Sequence, residues 1–169
     1  MYIWFYETPS GFDNMVMTSD GKYLTALVFQ NSNDIEKIEK NAKEECLDIF
    51  KETSNWLDLY FEGKIPDFIP SYKLENLSRF TLEVIEYIKK IPYGKVISYG
   101  DIAKCIAKKK NIKRMSAQAV GGAVGRNPIC IIIPCHRVMG ANNKITGYGG
   151  GINNKIKLLE NEGYYEYKK

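Results

Sequence analysis

The chain has 169 residues, 44% hydrophobic and 26% charged, with a net charge of +4. That fits one sizeable globular domain or two small ones sharing a core. No run approaches the roughly 18 apolar residues of a membrane span, and the start, Met1 to Gly11, lacks the basic and long apolar stretches of a secretory signal; a cytoplasmic protein is expected.

The modest net charge hides a division. Residues 1–78 carry 7 lysines against 14 Asp+Glu, a net of −7, whereas residues 79–169 carry 17 Lys+Arg against 6, a net of +11. A basic half beside an acidic half fits a polyanion-binding module joined to something else, or plain solvation by lysine.

In chain order, "YIWFYETPSG" and "GKYLTALVF", separated by the turn signal "SDGK" from Ser19 to Lys22, predict strands of an antiparallel sheet. Asn33 or Asp34 is placed to cap a helix in which Ile35, Ile38, Ala42, Ile49 and Phe50 share a face. A second short helix, "NWLDLYFEG", ends at Gly63. "KIPDFIPSYKL", with Pro66 and Pro70, reads as an extended linker, so the domain boundary is expected near residues 64–78, with domains of 1–70 and 71–169.

The basic half reads as mostly helical. Ser78 caps a helix carrying Phe80, Val84, Ile88 and Ile91 on one face, ended by Pro92 and Gly94. "KVIS" is a short strand; Ser98, with Asp101 three residues on, resembles a capping box. After the lysine-rich turn "KKKNIKRM", Ser116 caps "SAQAVGGAVGRN", a helix of very small residues. Each internal glycine costs roughly 1 kcal/mol relative to alanine. Two readings remain open: tight packing of this helix inside the protein, or close approach of a bulky partner, with a minor groove better matched than a major one. The two short helices joined by a basic turn also fit a helix-turn-helix. A glycine-rich loop, "ANNKITGYGGG", and a closing helix, "NNKIKLLENEG", with Ile156 and Leu159 inward, complete the chain; the loop lacks the ending of a P-loop.

Four cysteines, Cys46, Cys105, Cys130 and Cys135, have no C-x-x-C spacing, and His136 is the one histidine. A metal site is not expected. Cys46, Cys105 and Cys130 read as small buried hydrophobes. In "IIIPCHRVMG" a thiol at the end of a buried strand is followed by the imidazole. A thiol attacks as thiolate and needs a base or positive surroundings near neutral pH. His136 is the candidate base, Glu162 can orient it as a third member does in a triad, and Arg137 adds positive charge.

"NPICIIIPCHRVMG" resembles the active-site signature of the O6-alkylguanine-DNA alkyltransferases. "GKVISYGDIA", "AQAVGGAVGRNP", "TGYGGG" and "LLENEG" follow segments of that family in order, across residues 77–163; the N-terminal half resembles it only through its strands, its helix and "YFEG". The resemblance implies an α/β, ribonuclease-H-like N-terminal domain and a mostly α, winged helix-turn-helix C-terminal domain. It implies a monomer that binds alkylated double-stranded DNA through the minor groove, flips the damaged base, and moves the alkyl group from O6 of guanine, or O4 of thymine, to Cys135. No cofactor is implied. By resemblance Cys135 is the nucleophile, His136 the base, with Glu162 behind it. Asn127 braces the site, and Tyr99 rotates the target phosphate and donates a proton. Ser98, Tyr99, Ala117, Gln118, Ala119, Gly121, Gly122, Arg126 and Arg137 meet DNA. Tyr99, Val124, Cys130, Cys135, Val138, Tyr148, Gly149 and Gly150 form the base pocket.

The best-known members have an arginine at Gln118, and some have a proline at Cys130. The alternatives are an alkyltransferase-like protein that binds lesions without chemistry, a cysteine hydrolase using Cys135 and His136, and a winged-helix regulator with a structural cysteine.

Overall fold

The computed structural model describes all 169 residues. The N-terminal half is a four-stranded sheet of order β3-β2-β1-β4 with one long helix against it. Strands β1 (Tyr2–Tyr6), β2 (Met15–Ser19) and β3 (Leu24–Phe29) are antiparallel neighbours, and β4 (Lys43–Glu44) runs parallel to β1. The expected strands 1 and 3 therefore exist, but "MVMTS" between them forms the central strand β2, buried along its whole length. The "SDGK" turn closes as anticipated. Asp20 Oδ1 accepts the Lys22 and Tyr23 N–H groups, and Gly21 takes φ +109°, a region that L side chains rarely adopt.

The helix expected from Ile35 to Phe50 is not present. Asn33–Lys37 makes a single 3-10 turn, Asn41 takes φ 68°, β4 follows, and α1 begins only at Asp48, running to Phe61. The apolar residues of the expected face belong to different elements, and Ile35 is 38% exposed. Neither Asn33 nor Asp34 caps a helix: Ser32 occupies the flanking position but donates its hydroxyl back to the Phe29 carbonyl at 2.6 Å, and Asp34 turns its carboxylate to Lys37. The "second short helix" is the C-terminal part of α1, which buries Ile49, Phe50, Thr53, Trp56, Leu57 and Tyr60 and ends near Gly63 at φ 80°.

The segment after α1 is extended, with Ile65 and Ile69 exposed, but it is more than a linker. Ser71 and Lys73 bond Leu24, so Tyr72 bridges the free edge of β3. Farther along the same edge, Leu27 accepts from Cys130 N–H and donates to Pro128 C=O, both at 2.8 Å. The basic half is thus stitched onto the sheet by main-chain bonds, and one core of 28 buried residues runs through both halves.

In that half α2 (Arg79–Lys89) is capped by Ser78 as expected, and buries Thr81, Val84, Ile85 and Ile88. The capping box is complete: Ser98 Oγ accepts from Asp101 N–H at 2.9 Å, and Asp101 Oδ2 lies 3.4 Å from Ser98 N. It starts α3 (Tyr99–Lys109) directly after the short strand β5 (Ile97–Ser98). Ser116 caps α4 (Ala117–Val124), which packs against α2 and α3. β6 (Val138–Met139) pairs in parallel with β5, and α5 (Ile152–Asn161) closes the chain. On α5 the inward residues are Asn154, Lys155, Leu158 and Leu159; Ile156 is only half-buried.

No helix is long and apolar enough to cross a membrane. Ser98→Ala, which removes one half of the capping box, is expected to lower the unfolding free energy by about 1 kcal/mol, read as a drop of a few degrees in Tm by thermal unfolding.

Candidate active site

The site is built where the irregular segment 127–134 leaves the edge of β3. The buried strand expected before Cys135 is a turn-rich segment with one bridge, Leu27 to Ile129. Ile131 sits at φ 69°, uncommon for a β-branched residue and tolerated here because the surroundings fix it. Asn127 does that fixing. It is 1% exposed, donates Nδ2–H to Ile129 and Ile133 carbonyls at 3.2 and 2.9 Å, and accepts from Ile129 N–H at 3.0 Å. A side-chain amide supplies the partners that a regular ladder would otherwise give the backbone.

Pro134 then leads into a 3-10 turn, Cys135–Arg137. Cys135 is 4% exposed and its Sγ lies 3.8 Å from Tyr148 Oη. The neighbouring Cys130 thiol, with help from Asn127 and Tyr148, outweighs burial and brings the Cys135 pKa down to about 7. The Cys130 thiol is pushed up correspondingly. Cys130 is thus buried, as read from the sequence, and also acts on its neighbour. Cys46 and Cys105 are exposed, contrary to expectation: Cys46 precedes α1 outside any helix, and Cys105 is on the outer face of α3.

His136 is wholly buried, and its Nε2 lies 2.5 Å from Glu162 Oε2. Glu162, at the C-terminal cap of α5, also accepts from Tyr60 Oη at 2.6 Å, Arg137 Nε at 2.7 Å and Gly94 N–H at 3.0 Å. Burial alone would raise its pKa, but His136 and Arg137 overcome that and hold the carboxyl well below the usual range. Burial keeps the imidazole pKa below its ordinary value, against the opposing pull of Glu162. A neutral ring beside an ionised carboxylate carries its proton on Nε2, which leaves Nδ1 as a free base. That atom is buried and has no partner within the protein.

Adjacent residues thus take distinct directions: the thiol faces a cleft, and the ring faces the interior. The cleft, of about 50 Å³, is lined by Asp34, Lys37, Tyr99, Gly121, Val124, Gly125, Asn127, Cys135 and Gly147 to Gly149. It shares Tyr99, Gly121 and Gly147 with an open groove of about 740 Å³. That groove is walled by Ser98, Ala117, Gln118, Gly122, Gly140 and Ala141 among others.

Of the residues expected around a base, Tyr99, Val124, Cys135, Tyr148 and Gly149 line the cleft, whereas Cys130, Val138 and Gly150 lie outside it. Cys130 stands behind the thiol, 3.6 Å from Asp34 Oδ2; the Val138 carbonyl accepts from Lys155 Nζ at 2.7 Å; a Cβ on Gly150 would run into the rings of Tyr148 and Phe29. Arg137 needs correction as a DNA contact. It is 9% exposed, and its guanidinium is held by Glu162 and by the Ile91 carbonyl at 2.8 Å. Arg126, Ala117, Gln118, Ala119 and Gly122 are exposed, and Gly121 is half-buried.

The two glycines inside α4 are not demanded by packing within the chain. A Cβ at Gly121 would come no closer than 3.8 Å to Tyr99, and at Gly122 would meet only the Arg126 guanidinium at 3.5 Å. At these two glycines the tight-packing reading fails and the bare face is turned outward, whereas Ala123 on the other side of the helix is buried in the core.

Residues 1–69 match a model described as 6-O-methylguanine DNA methyltransferase, ribonuclease-like domain, and residues 79–164 the corresponding DNA binding domain. The chain belongs to the O6-methylguanine DNA methyltransferase family. It is 38% identical to a methylated-DNA–protein-cysteine methyltransferase of Methanosarcina acetivorans, over 96% of this chain and 99% of that one. It is 33% identical to the like-named protein of Haemophilus influenzae, over 96% and 86%. Among solved structures it is similar to Mycobacterium tuberculosis OGT in complex with DNA, with 34% identity, a TM-score of 0.79 and coverage of 96% and 92%.

Four contributors to this family member's site were missed in the sequence. In the sequence Asp34 reads only as a possible cap and Lys37 as part of the helix it would start, while Tyr60 and Lys155 lie in expected helices without a role of their own. Lys155 left a signal: with Leu158, Leu159 and Glu162 it falls on the inward stripe of α5. Burial lowers its pKa to about 8.

Carbamidomethylation of Cys135 by iodoacetamide, followed by peptide mass mapping to separate it from Cys46 and Cys105, is expected to titrate with a midpoint near 7. Cys130→Ala removes the leading stabiliser of the thiolate, so the midpoint should move up.

Proposed function

We propose that this protein repairs DNA by transferring the alkyl group from O6-alkylguanine to the sulfur of Cys135. The Cys135 thiolate attacks the alkyl carbon in line with O6; the S–C bond forms as the C–O6 bond breaks. The thiol proton passes to His136 Nδ1 through an intervening water, and Glu162 stabilises the imidazolium. The departing guanine takes a proton from the Tyr99 hydroxyl, so it leaves as a neutral base, and the tyrosinate left behind is reprotonated from solvent. The product is a thioether that no group in the site is placed to cleave. One chain therefore corrects one lesion, without a cofactor.

The observation that carries this reading is the lowered thiol at the mouth of a cleft that opens into the α4 groove, with a fully buried imidazole–carboxylate pair behind it. A hydrolase needs a water route and a leaving-group site for turnover, and makes no use of a bare, glycine-rich helix face. The non-catalytic lesion binder is disfavoured by the thiol itself.

The sheet order 3-2-1-4, with the last strand parallel to the first, supports a ribonuclease-H-like domain over residues 1–70. Helices α3 and α4 with the β5–β6 pair support a winged helix-turn-helix over residues 71–169. In this reading α4 enters the minor groove as a monomer's single recognition element. Gln118 and Arg126 lie beside the phosphates and the gap left by the flipped base. Lysines of the exposed 108–114 turn supply salt-dependent affinity. A cytoplasmic setting, which keeps the thiols reduced, suits the chemistry.

Intact-mass analysis after mixing with O6-methylguanine DNA under reducing conditions is expected to show one methyl per chain, on Cys135, and none in Cys135→Ser. Methyl on another cysteine, or repeated turnover, would overturn the assignment. Gly122→Ala separates folding from binding. Relieved of the helix cost of glycine, the variant should gain about 0.5–1 kcal/mol in stability. Its affinity for lesion-containing duplex should nevertheless fall, measured by fluorescence anisotropy.

A further inference from the structure

We infer that Tyr60, in the N-terminal half, is a positioning residue for proton acceptance by His136; the inference rests on the roles of Cys135 and His136 proposed above. Tyr60 is 1% exposed and donates to Glu162 Oε2 at 2.6 Å, the oxygen that also faces His136 Nε2. An ionised carboxylate offers about four lone-pair sites. At Glu162 all are used, Oε1 by Arg137 and Gly94, and Oε2 by His136 and Tyr60. Arg137 and Gly94 act on one oxygen, so Tyr60 alone shares the other with the imidazole.

The hydroxyl is held rigidly. The Tyr60 ring stacks on Trp56, with centroids 5.6 Å apart and planes 6° from parallel, and meets Phe61 and Tyr93 edge-on. Asn161 Nδ2, one residue before Glu162, donates to the Tyr60 carbonyl at 3.1 Å. The C-terminal ends of α1 and α5 are therefore tied by two bonds, one side-chain to carboxylate and one side-chain to backbone. Phenylalanine would fill the same apolar niche without bringing a hydroxyl out of water; what the hydroxyl adds is its bond to Glu162. The groups facing the His136–Glu162 pair are Arg137 from the same turn, Lys155 from α5, Tyr93 from the loop after α2, and Tyr60 from α1.

Removing the Tyr60 hydroxyl leaves Oε2 bonded to the imidazole alone. The carboxylate charge, less satisfied, pulls harder on the imidazole proton, and His136 is protonated at higher pH. The ring is then less available as a base just where it is needed.

The test is single-turnover methyl transfer from O6-methylguanine duplex to the full chain, followed across the acidic and neutral pH range. In Tyr60→Phe the rate at neutral pH is expected to fall roughly tenfold, as for loss of one hydrogen bond to a charged group, and the acidic limb should move to higher pH. Tyr6→Phe, which deletes another hydroxyl of the same half bonded to Asp58 at 2.6 Å, should leave the limb in place. Replacing Tyr60 by 3-fluorotyrosine keeps ring and hydroxyl while strengthening donation, and should move the limb down; it carries the test if Tyr60→Phe does not fold. An unmoved limb in both Tyr60 variants overturns the inference while leaving methylation of the wild-type chain intact. A wild-type chain that takes up no methyl overturns the proposed function instead.

Discussion

The carboxylate of Glu162 is the point on which the rest of the structure depends. A charged group this deeply buried is tolerated only when its acceptor sites are met by good donors. Those four donors come from three places in the chain: Tyr60 on α1, Gly94 after α2, and His136 and Arg137 on the 3-10 turn. Satisfying one carboxylate therefore fixes the relative placement of the sheet domain's helix, the entry to β5, and the turn that carries the thiol. The same saturation orients the imidazole, so its free nitrogen is set by the fold before any substrate arrives. Stability and catalytic geometry are here one constraint.

On the other side of Cys135 the logic reverses. Around Glu162 every polar group is matched; along α4 the chain leaves space unfilled. Gly121 and Gly122 stand where a side chain would meet no obstacle inside the protein. The helix gives up roughly 1 kcal/mol per glycine, offset by Ser116 at its cap and by packing of Val120, Ala123 and Val124 against α2 and α3. The bare face and the thiol cleft share walls. A backbone that approaches α4 closely is thereby brought to the one lowered thiol in the chain.

The N-terminal half is more than a companion to this centre. Asp34, 6% exposed, accepts from Lys37 at 2.7 Å, and Lys37 in turn donates to the Gly125 and Asn127 carbonyls at the end of α4. Asp34 also covers Gly149, where any Cβ would collide with its carboxylate. That close approach gives Gly149 a reason independent of ligand binding. The acidic half thus reaches the cleft twice, through the 33–37 turn from one side and through Tyr60 from behind.

Much of this was legible in the sequence. The caps at Ser78, Ser98 and Ser116, the end of α1 near Gly63, and the run around Cys135 depend on residues within a few positions of each other, and short-range chemistry of that kind is written locally. So were the family and the thiol, His136 and Glu162, through a long ordered series of motifs. What failed depended on distant partners. The expected helix from Ile35 broke because Asp34 and Lys37 bond residues near 125 and 149; the strand before Cys135 became a braced turn because Asn127 replaces a ladder; Arg137 was withdrawn from solvent by Glu162. Sequence periodicity records which faces are apolar and where helices begin. Only the tertiary structure decided which polar groups meet across 25 to 102 residues of chain, because a buried charge finds its donors in space and leaves no repeat by which to trace them.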